Sequence, residues 1–209
     1  MKTNKEYRAQ ALAALKGNWA PAVLASLLYA VIYIVPSMIT DNESVGMLIS
    51  LIVSLAVTIP FGVGLYAAFR KLNRGEDVRI VEYSFKEGYN TWSHNVGGMV
   101  LMSIYTFLWT LLLIIPGVIK GLSYSMTPFI LTDKPELSAN EAIELSMKMM
   151  DGHKMDLFVL LLIFCGLTLL SVVTLFIGLL WVTPYMYMRL AAFYEDVKAE
   201  YESKQNIAA

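Results

Sequence analysis

The sequence predicts an all-α fold: a polytopic membrane helical bundle of six transmembrane helices in three hairpins, each preceded by a cytoplasmic amphipathic interfacial helix. Three observations predict this fold class. The chain has 209 residues, of which 57% are apolar and 16% are charged, whereas soluble domains are roughly half apolar and about a quarter charged. The apolar residues form long runs. The basic residues are concentrated in the segments between those runs.

The first two apolar runs predict one transmembrane hairpin. Residues 19–39 and 45–69 are each close to the ~20 helical residues that cross the hydrocarbon core of a bilayer. The short polar turn TDNES, residues 40–44, separates them. We expect the first run to be a retained helix, because it is longer than the apolar core of a signal peptide and follows a segment of mixed charge.

Two later apolar runs predict one hairpin each. Residues 97–132 and 155–194 are both about twice the ~20 residues that one crossing needs. The first run is predicted to reverse at IIPG, residues 114–117, where Pro116 cannot donate a hydrogen bond to a continuing helix. The second is predicted to reverse within VTLFIG, residues 173–178.

The basic residues give an independent indication of topology, since Lys and Arg are enriched on the cytoplasmic side of membrane proteins. With the N-terminus inside, six spans place all 16 Lys and Arg residues on the cytoplasmic side except Lys120. Four spans would instead move the loop with Lys134, Lys148 and Lys154 outside. Six spans with both termini in the cytoplasm therefore agree better with this charge bias.

The four tryptophans are predicted to anchor the helices at the two membrane interfaces. Trp19 and Trp92 fall near the inner interface in the six-span arrangement, whereas Trp109 and Trp181 fall toward the outer one. Tryptophan is enriched at both interfaces because its ring is apolar and its N–H is polar. The tryptophan positions therefore agree with six spans.

The chain is predicted to form a single integral membrane domain, residues 1–209, built from three repeat units of similar plan. The units are residues 1–70, 75–132 and 136–196. Each begins with an amphipathic segment that a glycine is expected to close, as at a helix C-terminus. These glycines are Gly17, Gly88 and Gly152. Recurrence of this pattern predicts a triplicated hairpin.

The third amphipathic segment carries the clearest local signal. Ser138 and Glu141 are spaced for a capping box, in which each side chain satisfies a backbone donor of the other residue. Met147, Met149 and Met150 follow, and methionine adapts to irregular partners. This segment is predicted to be an interfacial helix whose apolar face contacts lipid or a partner. The alternative is that the face packs on the protein's own hairpins.

Lys120 is a candidate contact for an anionic lipid, because it is the only charged residue between His94 and Asp133. An ionisable residue at membrane depth is a functional candidate unless its side chain reaches the interface. The alternative is that Lys120 is an interfacial anchor whose long stem reaches the headgroups. Gly117 and Gly121 add a GxxxG pattern, which predicts close helix packing.

No catalytic, metal or cofactor site is predicted. His94 and His153, with Asp151 and Asp156 nearby, lack the i,i+4 or HExxH spacing of a zinc site. Nucleophile motifs and phosphate-binding glycine loops are not found in the sequence. The chain has one cysteine, Cys165, and no basic patch for nucleic acid. We therefore expect a protein that is not an enzyme and binds no cofactor or nucleic acid.

Two blocks of sequence resemble a known family. IIPGVIKGLSYSMTPFILTDKPELSANEAIELSMKMMDGHKMDLFVL and, later, IGLLWVTPYMYMRLAAFYEDV resemble the bacterial integral-membrane family known as domain of unknown function 975, DUF975. The resemblance covers nearly the whole chain and implies a multi-pass helical protein of the bacterial cytoplasmic (inner) membrane with no assigned activity. A remoter similarity is to the membrane domain of some glycerophosphodiester phosphodiesterases, although this chain has no room for their catalytic domain.

Two functions are predicted. The first is a non-enzymatic accessory protein that binds membrane lipids, a membrane protein partner or a second copy of itself. The alternative is an uncoupled transporter or permease for a lipid or other amphiphile. Repeated hairpins and the prolines at 60, 128 and 184 favour transport, since broken helices often mark substrate sites. Against transport, no acidic residue is expected to be buried within a predicted span, so coupling to an ion through a buried carboxylate is not predicted.

Overall fold

The computed structural model describes residues 2–39 and 42–208, and the regular elements in these residues are all helices. The predicted all-α fold is therefore confirmed. Eleven α-helices lie in the described residues: α1 Asn4–Leu15, α2 Trp19–Ile34, α3 Glu43–Val53, α4 Ile59–Asn73, α5 Ile80–Asn90, α6 Trp92–Leu112, α7 Ile114–Tyr124, α8 Thr127–Asp133, α9 Ala139–Met149, α10 Lys154–Val173 and α11 Leu179–Ala208. The three predicted amphipathic segments form α1, α5 and α9.

Four helical stretches of the described residues are long and apolar enough to cross a membrane. They are Glu43–Asn73, Trp92–Leu112, Ile114–Asp133 and Lys154–Val173. A fifth is possible if α1 and α2, which meet at 98°, count as one broken span. Six spans as three hairpins are not confirmed. By itself α2 has 16 residues, fewer than the ~20 that a crossing needs, and the apolar start of α11 soon reaches charged residues.

The helix breaks agree closely with the predicted reversals. The first break is at Leu113, which has extended backbone between α6 and α7, so Pro116 lies in the first turn of α7, where proline is tolerated. The second break lies between α10 and α11, within the predicted residues 173–178. Of the predicted turn at 40–44, residues 40 and 41 lie outside the described residues, and the Asn42 side chain caps α3.

Two of the three predicted helix-closing glycines have the expected backbone. Gly17 and Gly152 have φ of +86° and +85°, in the left-handed region that favours glycine. Gly88 was predicted wrongly, because it lies inside α5 and packs against α4. A Cβ at Gly88 would lie 2.1 Å from the Pro60 carbonyl oxygen. The backbones of α4 and α5 therefore touch at this glycine, which is a packing role rather than a capping one.

Aromatic side chains pack together in the core where α4, α8 and α11 meet. Phe69 of α4 stacks on Tyr187 of α11, with ring centroids 5.2 Å apart. Phe129 of α8 stacks on Tyr194 of α11, with centroids 4.8 Å apart. Aromatic pairs of this kind add to the stabilisation that burial of their area supplies. The middle of α11 is therefore held firmly within the helical bundle.

Large apolar side chains are exposed at the α2–α3, α6–α7 and α10–α11 junctions. Examples are Tyr33, Met38, Met47, Leu111, Leu113, Ile115, Val173, Leu175 and Ile177. Contiguous apolar surface of this kind is unfavourable in water and typical of regions that contact lipid or another protein. The three junctions are therefore compatible with insertion into a membrane.

Candidate functional site

Lys120, the sequence-predicted candidate, lies on α7 and is half-buried. Its ammonium nitrogen is 5.0 Å from the centroid of the Trp109 ring and 3.7 Å from the Met147 sulfur. A cation over an indole face is stabilised by the ring quadrupole. Among the described residues Lys120 forms no ion pair with a carboxylate. Lys120 is therefore held by an aromatic ring and a thioether.

The contacts of Lys120 correct part of the predicted topology. Lys120 was predicted outside and Met147 inside, yet their side chains touch, and no lysine contact bridges the ~30 Å hydrocarbon core. The Tyr105 hydroxyl of α6 likewise donates to the Asn140 side chain of α9 at 3.0 Å. Helix α9 therefore lies beside the α6–α7 hairpin. The predicted placement of Lys120 and Met147 on opposite sides does not hold.

Gly117 and Gly121 differ in how closely α7 approaches α6. A Cβ at Gly117 would lie 2.4 Å from the Thr110 hydroxyl oxygen, whereas a Cβ at Gly121 would lie 3.8 Å from the nearest Thr106 atom. The first distance is too short for a side chain, and the second is an ordinary contact. Close packing in this pair of helices therefore requires glycine at 117 only.

Helix α9 begins as predicted. Glu141 accepts a hydrogen bond from the Ser138 backbone N–H at 2.7 Å, and the Glu141 N–H donates to the Ser138 hydroxyl at 3.3 Å. The capping box is therefore confirmed. Hydrogen bonds from the hydroxyl and the backbone of Ser138 lower the pKa of the Glu141 carboxyl.

The methionines of α9 do not form an open surface. Met149 and Met150 are buried, and Met147 is half-buried. The Ser146 hydroxyl between them donates to the Ser123 carbonyl at 2.7 Å, which fixes the apolar face of α9 against the preceding helices. The predicted free partner surface at Met149 and Met150 is therefore wrong. The alternative interpretation, that this face packs on the protein itself, is correct.

A pocket that the sequence did not predict lies between α1, the start of α2, α10 and α11. Its volume is about 550 Å³, within the usual range for small-ligand sites. It is lined by Asn4, Lys5, Arg8, Leu12, Trp19, Ile163, Leu167, Trp181, Val182, Tyr185 and Arg189. We call it the Arg189 pocket. Three lining residues are cationic and none carries a carboxylate, so the lining of the pocket has a net positive charge.

Arg189 is buried in this pocket, with 2% of its surface exposed. One terminal nitrogen donates to the Asn4 side-chain oxygen at 2.9 Å, and the other lies 3.4 Å from the Tyr185 hydroxyl. The guanidinium carbon is 5.6 Å from the ring centroid of Phe164. Its Nε has no hydrogen-bond partner in the described residues. Among these residues the positive charge of Arg189 is therefore surrounded by neutral hydrogen-bond acceptors and aromatic rings rather than by a carboxylate.

Arg70 is also buried, but unlike Arg189 it is paired with a carboxylate in the described residues. Arg70 forms an ion pair with Asp133 at 2.8 Å. Asp133 also accepts hydrogen bonds from the Tyr194 hydroxyl at 2.6 Å and from the Lys198 ammonium at 2.5 Å. Buried charges are usually paired in this way because an isolated charge in an apolar interior is costly. Within the described residues Arg189 has no such carboxylate, which makes it the candidate site for an external anion.

The Arg189 pocket also corrects the predicted tryptophan positions. Trp19 and Trp181 were predicted at opposite interfaces, but both line this one pocket. They are therefore neighbours and cannot be separated by the ~30 Å hydrocarbon core. Trp92 and Trp109 are both partly exposed on α6, and their interfacial role stays a prediction.

Comparison with protein families gives a match in the second half of the chain. Residues 99–201 match the family model of DUF975, described as "Protein of unknown function". The DUF975 match contains Lys120, Asp133 and Arg189, whereas Lys5 and Arg8 precede it. No curated protein matched the chain, and no solved structure did. The match supports the DUF975 resemblance of residues 99–201.

Arg189 was not a predicted site residue, although its position in an apolar run could have indicated it. Arg189 stands in TPYMYMRLAAFY, which lies within the residues that match DUF975 and is as apolar and aromatic as the run around Lys120. Arg189 was predicted to be one of the cytoplasmic cations and was therefore not among the predicted site residues. The structure shows that it is buried and that α1, distant in sequence, supplies its Asn4 partner.

His153 has contacts of a structural kind, whereas the buried Nε2 of His94 has no hydrogen-bond partner in the described residues. His153 Nε2 lies 3.2 Å from a Glu200 carboxylate oxygen, and its Nδ1 lies 3.7 Å from Asp156. No group of three or more His, Cys, Asp or Glu side chains in the described residues has the arrangement of a metal site. His153 therefore links the start of α10 to the C-terminal part of α11.

Proposed function

We propose that the whole chain is a DUF975 protein of the bacterial cytoplasmic membrane. In this proposal it is a multi-pass, non-enzymatic accessory protein that binds an anionic membrane lipid in the Arg189 pocket. The observation that carries the proposal is the buried Arg189 guanidinium, which faces a pocket with two more cations and no carboxylate. A lipid phosphate would supply the missing negative charge, and charge-assisted hydrogen bonds to Arg are among the strongest in proteins.

The shape of the pocket fits an amphiphile better than a small polar ion. Its lining contains two kinds of side chain: the cations Arg189, Lys5 and Arg8, which we call the polar end, and apolar side chains such as Leu12 and Leu167, which we call the apolar wall. Burial of apolar surface contributes roughly 25 cal/mol per Å², so an acyl chain along that wall would add to the affinity of the headgroup. The same residues would therefore bind both parts of one lipid.

Contacts between the N-terminal and C-terminal segments support placing both termini on the same side of the membrane. The Lys2 ammonium forms an ion pair with Asp196 at 2.7 Å, and the Tyr7 hydroxyl donates to the same carboxylate at 3.0 Å. These contacts tie α1 to the charged second half of α11. Because Lys and Arg are enriched on the cytoplasmic side, we place α1 and this half of α11 in the cytoplasm.

Lipid retention tests the proposal. We expect native mass spectrometry of the protein extracted with its surrounding membrane to detect a bound anionic phospholipid. The Arg189→Gln variant should retain at least about tenfold less of it, because a charge-assisted hydrogen bond contributes roughly 1.5–3 kcal/mol. Arg79→Gln removes the same charge from an exposed ion pair on the surface and should retain the lipid fully. Equal retention by all three proteins would contradict the proposal.

Cysteine labelling tests the membrane orientation. In a Cys165→Ser background, Ser44→Cys should react with a membrane-impermeant maleimide from outside, since we propose that the α2–α3 hairpin crosses the membrane. Ser138→Cys should react only after the membrane is opened. Both positions are exposed side chains, so protection reports the membrane rather than burial in the protein. External labelling at 138 would place α9 outside and overturn the orientation.

A second candidate, an uncoupled lipid transporter, is favoured by one observation. Pro184 lies inside α11 between the pocket residues Val182 and Tyr185. Proline lacks the N–H that would continue the helical hydrogen bonds, and interrupted helices beside a pocket are typical of transporter substrate sites. Exchange of fluorescent lipid between the leaflets of proteoliposomes, measured with and without the protein, separates transport from binding.

A further inference from the structure

We propose that the Arg189 pocket selects lipids with a phosphomonoester headgroup over phosphodiester lipids. This inference rests on the proposed lipid binding and names its chemical class. Lys5, Arg8 and Arg189 all line the pocket, so three positive charges meet one headgroup. A phosphodiester carries one negative charge, whereas a phosphomonoester carries about −1.5 to −2 near pH 7. The monoester therefore balances the pocket charge more fully.

The cations of the pocket are not neutralised by the protein. Neither Lys5 nor Arg8 forms an ion pair in the part of the chain that the structure describes. Glu6, which lies between them on α1, instead accepts a hydrogen bond from the Thr3 backbone N–H at 2.6 Å. That bond belongs to the capping box of α1. The nearby carboxylate of α1 is therefore committed to the helix start.

The other acidic groups near the pocket are also engaged. Asp196 binds Lys2 and Tyr7. Asp156 lines the neighbouring cleft with Asn4 and faces His153. Neither aspartate lines the Arg189 pocket. The excess positive charge of the pocket is therefore left for a ligand.

The donors of the pocket also favour a phosphate with three terminal oxygens. Arg189 has a buried Nε with no partner in the described residues, beside a terminal nitrogen bound only to Asn4. Lys5 and Arg8 are exposed on the first turns of α1, so their long side chains can turn toward the same anion. A monoester presents three strong acceptor oxygens to these donors, whereas a diester presents two. The monoester can therefore accept from all three cations at once.

The apolar wall distinguishes a lipid from free phosphate. Leu12 of α1, Ile163 and Leu167 of α10 and Val182 of α11 line the pocket beside Trp19 and Trp181. Inorganic phosphate would use only the polar end and leave this wall in contact with water. A lipid phosphomonoester would contact both the polar end and the apolar wall. The pocket therefore fits a lipid better than free phosphate.

The two pocket tryptophans allow a direct measurement. The full-length protein with Trp92→Phe and Trp109→Phe keeps Trp19 and Trp181 as the fluorescent reporters. It is titrated in detergent micelles with three lipids that carry the same brominated chains: phosphatidic acid, phosphatidylglycerol and phosphatidylcholine. Quenching by phosphatidic acid should reach half-saturation at a concentration at least about tenfold lower than by phosphatidylglycerol, because its headgroup makes additional charge-assisted hydrogen bonds.

Variants at the exposed cations test the origin of this selectivity without changing the core. The Lys5→Gln/Arg8→Gln double variant should bind phosphatidic acid and phosphatidylglycerol with equal half-saturation. The matched control is Lys16→Gln/Lys86→Gln, which removes two exposed cations that do not line the pocket. The control should keep the tenfold preference.

The outcomes separate this inference from the proposed function. Equal quenching by phosphatidic acid and phosphatidylglycerol, both stronger than phosphatidylcholine, would overturn the monoester preference and leave anionic-lipid binding intact. Equal quenching by all three lipids would overturn both. Displacement of phosphatidic acid by inorganic phosphate at matched concentration would show that the headgroup alone is bound, which overturns a lipid as the ligand.

Discussion

Replacing Asp133 with asparagine is expected to lower the free energy of unfolding by about 3–5 kcal/mol. Asp133 is almost fully buried, with 9% of its side chain exposed, and lies 2.8 Å from Arg70. It also accepts a hydrogen bond from Lys198. Asparagine has nearly the same size but no charge, so Arg70 would stay buried without a counter-ion and the half-buried Lys198 would lose its carboxylate partner. An uncompensated buried charge is among the costliest single changes in a protein.

The measurement is the unfolding free energy of the purified protein in mixed micelles, titrated with a denaturing detergent and followed by tryptophan fluorescence. Glu76→Gln is the matched control, because it removes the same charge from an exposed pair with Lys71 at 3.3 Å. Exposed pairs contribute about 0–1 kcal/mol, so this variant should resemble the wild type. If Asp133→Asn proved as stable as Glu76→Gln, the Asp133 cluster would not be a stabilising element.

Replacing Gly88 with alanine is expected to destabilise the protein by about 3 kcal/mol, the upper end of the usual cost of overpacking. The new methyl group would lie 2.1 Å from the Pro60 carbonyl oxygen. Backbone atoms cannot turn aside as the end of a side chain can, so α4 and α5 would have to separate. Gly64 of α4 faces the Ser84 carbonyl of α5 at a similarly short distance, so the separation would disturb two contacts.

Thermal unfolding in detergent checks this prediction, with Gly97→Ala as the control. Gly97 lies inside α6 and an added Cβ would meet nothing within 4 Å. Alanine has a higher helix propensity than glycine by up to about 1 kcal/mol, so the control should unfold at the same or a higher temperature. A Gly88→Ala protein that unfolds with the wild type would show that the two helices have room to move apart.

Local features of the chain were predictable because their causes are local. The capping box at Ser138 and Glu141 needs only two side chains one turn apart. Gly17 and Gly152 end helices because few other residues adopt a positive φ at low cost. Long apolar runs predict helices of membrane length from the size of the bilayer. These interactions involve residues close in sequence, so the pattern of residues is enough to predict them.

The sequence-based predictions were wrong where segments that are distant in sequence pack together. The hydrophobic pattern of α9 was read correctly, but whether its methionines contact lipid, a partner or the protein itself depends on the neighbouring helices. Gly88 was predicted to close a helix from its place in the sequence. In the structure it packs α5 against α4, a contact that the local sequence does not reveal. Trp19 and Trp181 were predicted at opposite interfaces, yet the packing of α2 against α11 brings both to one pocket.

The sequence by itself determined the helical class, the helix boundaries near the breaks, the capping of α9 and the resemblance to DUF975. Only the tertiary structure decided which charged residue is the better candidate site. Lys120 and Arg189 both stand in apolar runs, and their own neighbours in sequence do not distinguish them. Lys120 contacts Trp109 and Met147, whereas Arg189 faces a pocket that two further cations line. Electrostatic free energy depends on distances in space between charges, and those distances arise only when the helices pack.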